Sequence, residues 1–126
     1  MAKILVIGDT ILDVMVPMSI IGTCQENPHA MKLKHGGRVK TNLGGAANVV
    51  NGLLNLGHEV KFVTALGRNA FRDDIEYDYF PHLGPVVDSI TVKTRYYSPH
   101  GMLFRVDDDV QYSGNHDMTA SALVEI

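Results

Sequence analysis

The sequence predicts an open α/β fold interrupted by β-strand excursions, and three features predict it. An apolar run from Lys3 to Gly8 ends in glycine, as a buried parallel strand does. Ala46, Val49, Val50, Leu53 and Leu54 then recur at helical spacing, with Gly57 placed to end the helix. A second strand-like run, Val60 to Gly67, again ends in glycine. Strand, insertion, helix, strand is how an open α/β unit begins.

The first strand leads into Asp9-Thr10-Ile11-Leu12-Asp13. Ligands of open α/β sheets sit beyond the carboxyl ends of strands, so position makes Asp9 and Asp13 candidate ligand residues. A carboxylate there serves equally to cap a turn or the segment that follows. Residues 14–42 lack helical periodicity. Val14 to Met18 is short and broken by Pro17, Gly22 to Pro28 is loop-like, and Met31 to Lys34 alternates as a half-exposed strand does. Gly36-Gly37 signals a turn, so Arg38 to Thr41 is expected to return as the second strand of a hairpin. Lys32, Lys34, Arg38 and Lys40 then read as a solvated strand face.

Gly44-Gly45 opens the helix. Glycine lets backbone approach a ligand closely, and the free N–H groups of a helix start favour electron-rich groups. Asn48, in the first turn, adds a side-chain hydrogen bond. The bland alternatives are a tight turn at the glycines and an exposed helical position for Asn48. Arg68 to Asp78 is polar and acidic and reads as a short helix or loop. Ser89 to Tyr97 alternates, Ser98 to Gly101 turns, and Met102 to Asp107 returns, which makes the clearest hairpin of the chain. Asp117 to Ile126 begins like a capped helix and meets no stop signal, so that element is expected to continue past the last residue.

Composition narrows the function classes. The 126 residues are 45% hydrophobic and 20% charged, with net charge -3 and a pI near 6.0, which is ordinary for one globular unit. That balance argues against nucleic acid or a membrane surface as partner. No stretch approaches the roughly 20 apolar residues of a membrane span. One cysteine, Cys24, makes no internal disulfide, and the start of the chain lacks a signal-peptide pattern, so a cytoplasmic protein is expected. The six histidines show no zinc-like spacing, and Asp107-Asp108-Asp109 reads as a solvated turn, so no metal site is expected. Neither Gly-x-x-x-x-Gly-Lys nor Gly-x-Gly-x-x-Gly occurs.

Taken in order, Val6-Ile7-Gly8-Asp9 with Asp13 following, Leu43-Gly44-Gly45-Ala46-Ala47-Asn48, Leu56-Gly57 before a strand, and Thr64-Ala65-Leu66-Gly67-Arg68-Asn69-Ala70 resemble the PfkB or ribokinase family of carbohydrate kinases. Thr91-Val92-Lys93-Thr94-Arg95 and Leu103-Phe104-Arg105-Val106-Asp107 are most similar to its heptose-phosphate kinases, of ADP-heptose synthesis. The resemblance covers nearly the whole chain and implies a partial ribokinase-like (Rossmann-like) open sheet with a β-strand lid, the C-terminal half missing. Residues 1–13, 43–88 and 110–126 would form the α/β core, and 14–42 and 89–109 the lid strands. It implies that Asp13 and the Gly44-Gly45-x-x-Asn48 segment, with Asp9 beside them, hold sugar hydroxyls. Lys93, Arg95 and Arg105 would face the phosphate that a sugar phosphate already carries, although surface charge is the commoner fate of alternating basic residues.

The departures carry equal weight. The family's C-terminal Gly-Ala-Gly-Asp signature, with its catalytic base, is absent. ATP and Mg serve the full-length family, but no cofactor is expected to bind this chain alone, and no catalytic residue is assigned. The expected function is the sugar or sugar-phosphate binding part of an ATP-dependent kinase, inactive by itself. The alternative is a stand-alone sugar-phosphate binding or dimerisation module. Half a sheet leaves an unpaired edge and a bare apolar face, so a partner is expected. By resemblance, that partner is a second copy joined through lid strands, or a complementary C-terminal kinase half.

Overall fold

A computed structural model describes residues 1–70, 82–83 and 86–110. Strand β1 (Lys3–Ile7) leads through Gly8 and Asp9 into a long strand β2 (Thr10–Thr23). Then come β3 (Met31–His35), β4 (Lys40–Gly45), helix α1 (Ala46–Asn55), β5 (Glu59–Val63) and β6 (Leu66–Gly67). A short 3-10 turn (Arg68–Ala70) follows, then β7 (His82–Leu83), β8 (Val86–Val87), β9 (Val92–Ser98) and β10 (Gly101–Asp108). Most of the acidic stretch from Arg68 to Asp78, and the helix start expected from Asp117, lie outside the described residues.

Two sheets matter for the site. The first is parallel, in the order β1-β5-β7, and α1 packs on one of its faces. In the second, β2 is the spine. β9 and then β10 lie on one side of it, and β4 and β3 share the other. β6 and β8 form a separate parallel pair.

The spine corrects the hairpin expected between residues 31–34 and 38–41. β3 and β4 do not pair with each other: β4 runs antiparallel to Thr10–Met15 and β3 antiparallel to Met18–Thr23. At 14 residues, β2 is long enough to hold both partners end to end. Pro17, expected to break a short strand, falls in the gap where β4 has ended and β3 has not begun. A residue without an N–H is tolerated where no ladder bond is needed from it. The second α/β strand, expected as one run to Gly67, ends at Val63. Thr64 Oγ1 lies 2.7 Å from Thr10 Oγ1 and donates to the Ala65 carbonyl, a local competitor to the ladder.

Helix α1 ends as the glycine pattern predicts. Gly57 takes φ 83°, its N–H bonds to the Leu54 carbonyl, and the His58 N–H bonds to the Leu53 carbonyl. This paired closure is the Schellman geometry. The core lies between α1, the parallel sheet and the near end of the second sheet, around Leu12, Leu43, Ala47, Val50, Phe62 and Ile90. Asn69 steers the chain into β9: its side-chain amide bonds both the N–H and the carbonyl of Ile90, each at 3.1 Å.

The run Lys3 to Gly8 was expected to be a central strand with both faces covered. Among the described residues β1 pairs only with β5. Ile4 and Val6 are half-buried, whereas Leu5 and Ile7 are exposed. An apolar run without alternation encodes two covered faces, and the described residues cover one.

Candidate functional site

Strand alternation sorts the second sheet into two faces. Leu12, Val14 and Val16 of β2 share a face with Leu43 and Thr41 of β4 and with Val92, Thr94 and Tyr96 of β9. At its near end this face is core. At its far end Tyr96 stacks on Phe104, ring centroids 4.5 Å apart, and Phe104 and Val106 are exposed.

The opposite face is polar. Asp13 sits in register between Asn42 on β4 and Lys93 on β9, and Lys93 is opposite Asp107 on β10. The next row reads Lys40, Met15, Arg95 and Arg105 across the same four strands. The two rows bring together Asp13, Lys93, Arg95 and Arg105, all named from the sequence.

Asp13 is the centre of the face. Arg95 Nη1 donates to its Oδ1 at 2.9 Å, and both side chains are half-buried. The hydrogen bond to Asp13 holds the Arg95 pKa above the ordinary arginine value, with burial pushing the other way. Gly44 underlies the carboxylate, and a Cβ at that position would collide with Asp13 Oδ2. Glycine here makes room for the carboxylate. Gly45 takes φ 64°, and a Cβ on it would meet the Asp9 carbonyl at 2.6 Å. That carbonyl accepts from the Ala46 N–H at 2.9 Å and ties the start of α1 to the end of β1.

Asp9 thus contributes its backbone carbonyl to the start of α1. Its carboxylate makes no hydrogen bond among the described residues, and the residue is exposed. Asn48 lies exposed in the first turn of α1, whose N-terminus carries no side-chain cap. Arg105 is held by its own strand: its Nε lies 2.8 Å from Asp107 Oδ1 and its Nη2 donates to Oδ2 at 3.0 Å.

Asn42, Lys40 and Asp107 join the face without having been singled out. Lys40 is exposed on β4, as a solvated strand face requires, and Asp107 lies on β10, the expected return strand. The signal was period two: counting back from Gly44, positions 42 and 40 share its face. Asn69 is a further positioning residue, since it fixes the approach to β9 and so the place of Lys93 and Arg95.

Among the described residues no group of three or more His, Cys, Asp or Glu side chains could hold a metal ion. No described helix is long and apolar enough to cross a membrane.

No protein-family model matches the chain. The bifunctional protein HldE of Helicobacter acinonychis is 30% identical over 98% of the chain, which spans 28% of that protein. The crystal structure of a Methanocaldococcus jannaschii nucleoside kinase, an archaeal member of the ribokinase family, matches the whole chain with a TM-score of 0.51. That match covers 40% of the nucleoside kinase at 16% identity, a level that speaks to fold alone.

Proposed function

The chain belongs to the PfkB/ribokinase-like carbohydrate kinases as a segment of the longer fold, and from that premise we propose that its polar sheet face is the sugar-phosphate binding part of such a kinase. The observation that carries this reading is Asp13, seated over Gly44 and flanked by Asn42, Lys93 and Arg95. A carboxylate accepts from vicinal hydroxyls, and an amide both donates and accepts. The cationic side of the face, with Lys93, Arg95 and Arg105, suits a phosphate already on the sugar. Gly45 and Asn48 at the start of α1 border the same corner. The resemblance of residues 91–95 and 103–107 to heptose-phosphate kinases favours a heptose phosphate over other sugar phosphates.

ATP and Mg belong to the family in general. On this reading the chain supplies sugar-phosphate binding, and phosphoryl transfer calls on further parts of the fold. Calorimetric titration with heptose 7-phosphate, fructose 6-phosphate, ribose and ATP tests the reading. Binding of a sugar phosphate without ATP is the expected result. Binding of ATP but of no sugar or sugar phosphate would refute it.

A second reading rests on the other face. Phe104 and Val106 are exposed on β10, which has no outer neighbour among the described strands. An apolar edge of this kind pairs readily. It supports association with a second copy through the lid strands. Sedimentation of the chain as a monomer at all concentrations would count against that association.

A further inference from the structure

The four cations of the polar face are not equivalent. Lys40, Lys93, Arg95 and Arg105 lie in adjacent rows with two carboxylates, Asp13 and Asp107. Each carboxylate is claimed by an arginine, Asp13 by Arg95 at 2.9 Å and Asp107 by Arg105 at 2.8 Å. Among the described residues neither lysine has an ion-pair partner, although Lys93 is half-buried between the two paired carboxylates. Lys40 stands one row away, on the far side of β2 from Arg95.

Resting on the sugar-phosphate reading, we propose that the lysines and not the arginines take the phosphate of the ligand, and that Lys40 is a specificity residue for phosphorylated over neutral sugars. Arg95 and Arg105 already spend donors and charge on a carboxylate, by one bond and by a fork respectively, whereas the two ammonium groups have their whole charge free and lose only water. Lys40 and Lys93 flank Asp13 from β4 and β9. A ligand with hydroxyls on Asp13 thus places a charged substituent within reach of both flexible stems. Arg95 and Arg105 act as positioning residues that hold the two carboxylates. The face carries two more positive than negative side chains, and a phosphate dianion matches that excess.

The test uses the full chain and four variants, Lys40→Gln, Lys93→Gln, Arg105→Gln and, as a control on the other sheet, Lys61→Gln. Each is titrated with heptose 7-phosphate and with the unphosphorylated heptose, and its thermal unfolding is recorded. Lys40→Gln and Lys93→Gln should each weaken the sugar phosphate about tenfold, the scale of one charge-assisted hydrogen bond. The neutral sugar, the unfolding temperature and the Lys61→Gln chain should be unaffected. Full sugar-phosphate affinity in Lys40→Gln, or an Arg105→Gln loss larger than either lysine loss, would overturn the proposal while leaving the sugar site standing. Equal wild-type affinity for the phosphorylated and neutral sugars would overturn it in the same way. Binding of neither sugar to the wild-type chain would bring down the underlying reading and this inference with it.

Discussion

The Asp13–Arg95 pair joins the long strand, near its N-terminal end, to its parallel neighbour, and its strength can be worked from the geometry. At 2.9 Å, two unit charges attract by about 1.4 kcal/mol in bulk water and by about 6 kcal/mol at an effective dielectric of about 20. The side chains are 26% and 21% exposed, so the pair lies between these limits. Desolvation and the ordering of a long arginine side chain offset most of the attraction. A net coupling of about 1 kcal/mol remains, on the scale of one charge-assisted hydrogen bond discounted for solvent. Asp13→Asn, Arg95→Gln and the double variant form a cycle that isolates it. Urea unfolding of the four chains should give each single variant a loss of about 1 kcal/mol, with the double variant losing less than the sum. The raised Arg95 pKa has the same sign. It adds stability that is complete below the ordinary arginine value and is lost only as pH rises through the higher folded value, so Arg95 brings no pH dependence near neutrality. A coupling below about 0.3 kcal/mol, which is additivity within error, would refute the argument that the pair organises the face.

Three further outcomes follow from close contacts. Gly44→Ala puts a Cβ against Asp13 Oδ2, so the carboxylate must rotate away from Arg95; sugar-phosphate affinity measured by calorimetry should fall more than about tenfold, the scale of one lost charge-assisted bond. Gly45→Ala meets the Asp9 backbone carbonyl at a positive φ and should cost about 1 to 3 kcal/mol in urea unfolding, since backbone cannot turn aside as a side chain can. Asn69→Ala strips both hydrogen bonds from the backbone of Ile90, a fully buried residue, and should cost about 1 to 3 kcal/mol, with faster hydrogen exchange at the Ile90 amide.

What could be read in the chain was what periodicity and glycine encode locally. The helix at Ala46–Asn55, its Gly57 stop and the β9–β10 hairpin were legible because each is settled within a few residues of sequence. Asp13 and Gly44 were legible as a motif, and the structure adds why they go together: one occupies the space the other leaves empty. The partners of β3 and β4 were not legible. Two short strands separated by Gly36-Gly37 have the local signature of a hairpin, and only a third strand long enough to hold both removes the need for one. That Lys40 shares a face with Asp13 was not legible for the same reason. Its face is defined by pairing with Met15, a contact between residues far apart in sequence.

The long strand also explains how a polar face can be precise without being deeply buried. Leu12, Val14 and Val16 point to the core face while Asp13 and Met15 point to the polar one. A slip of one residue would turn Asp13 towards Phe62 and Val50 and expose Leu12, exchanging a buried leucine for a buried charge. Register is therefore held by the apolar residues on either side of the carboxylate, and the polar residues need contribute little to their own placement. Substitutions on the polar face should accordingly change affinity more than stability. Conservative changes at Leu12 or Leu43 should do the reverse, which gives a practical way to separate a ligand contact from a fold contact in any variant of this sheet.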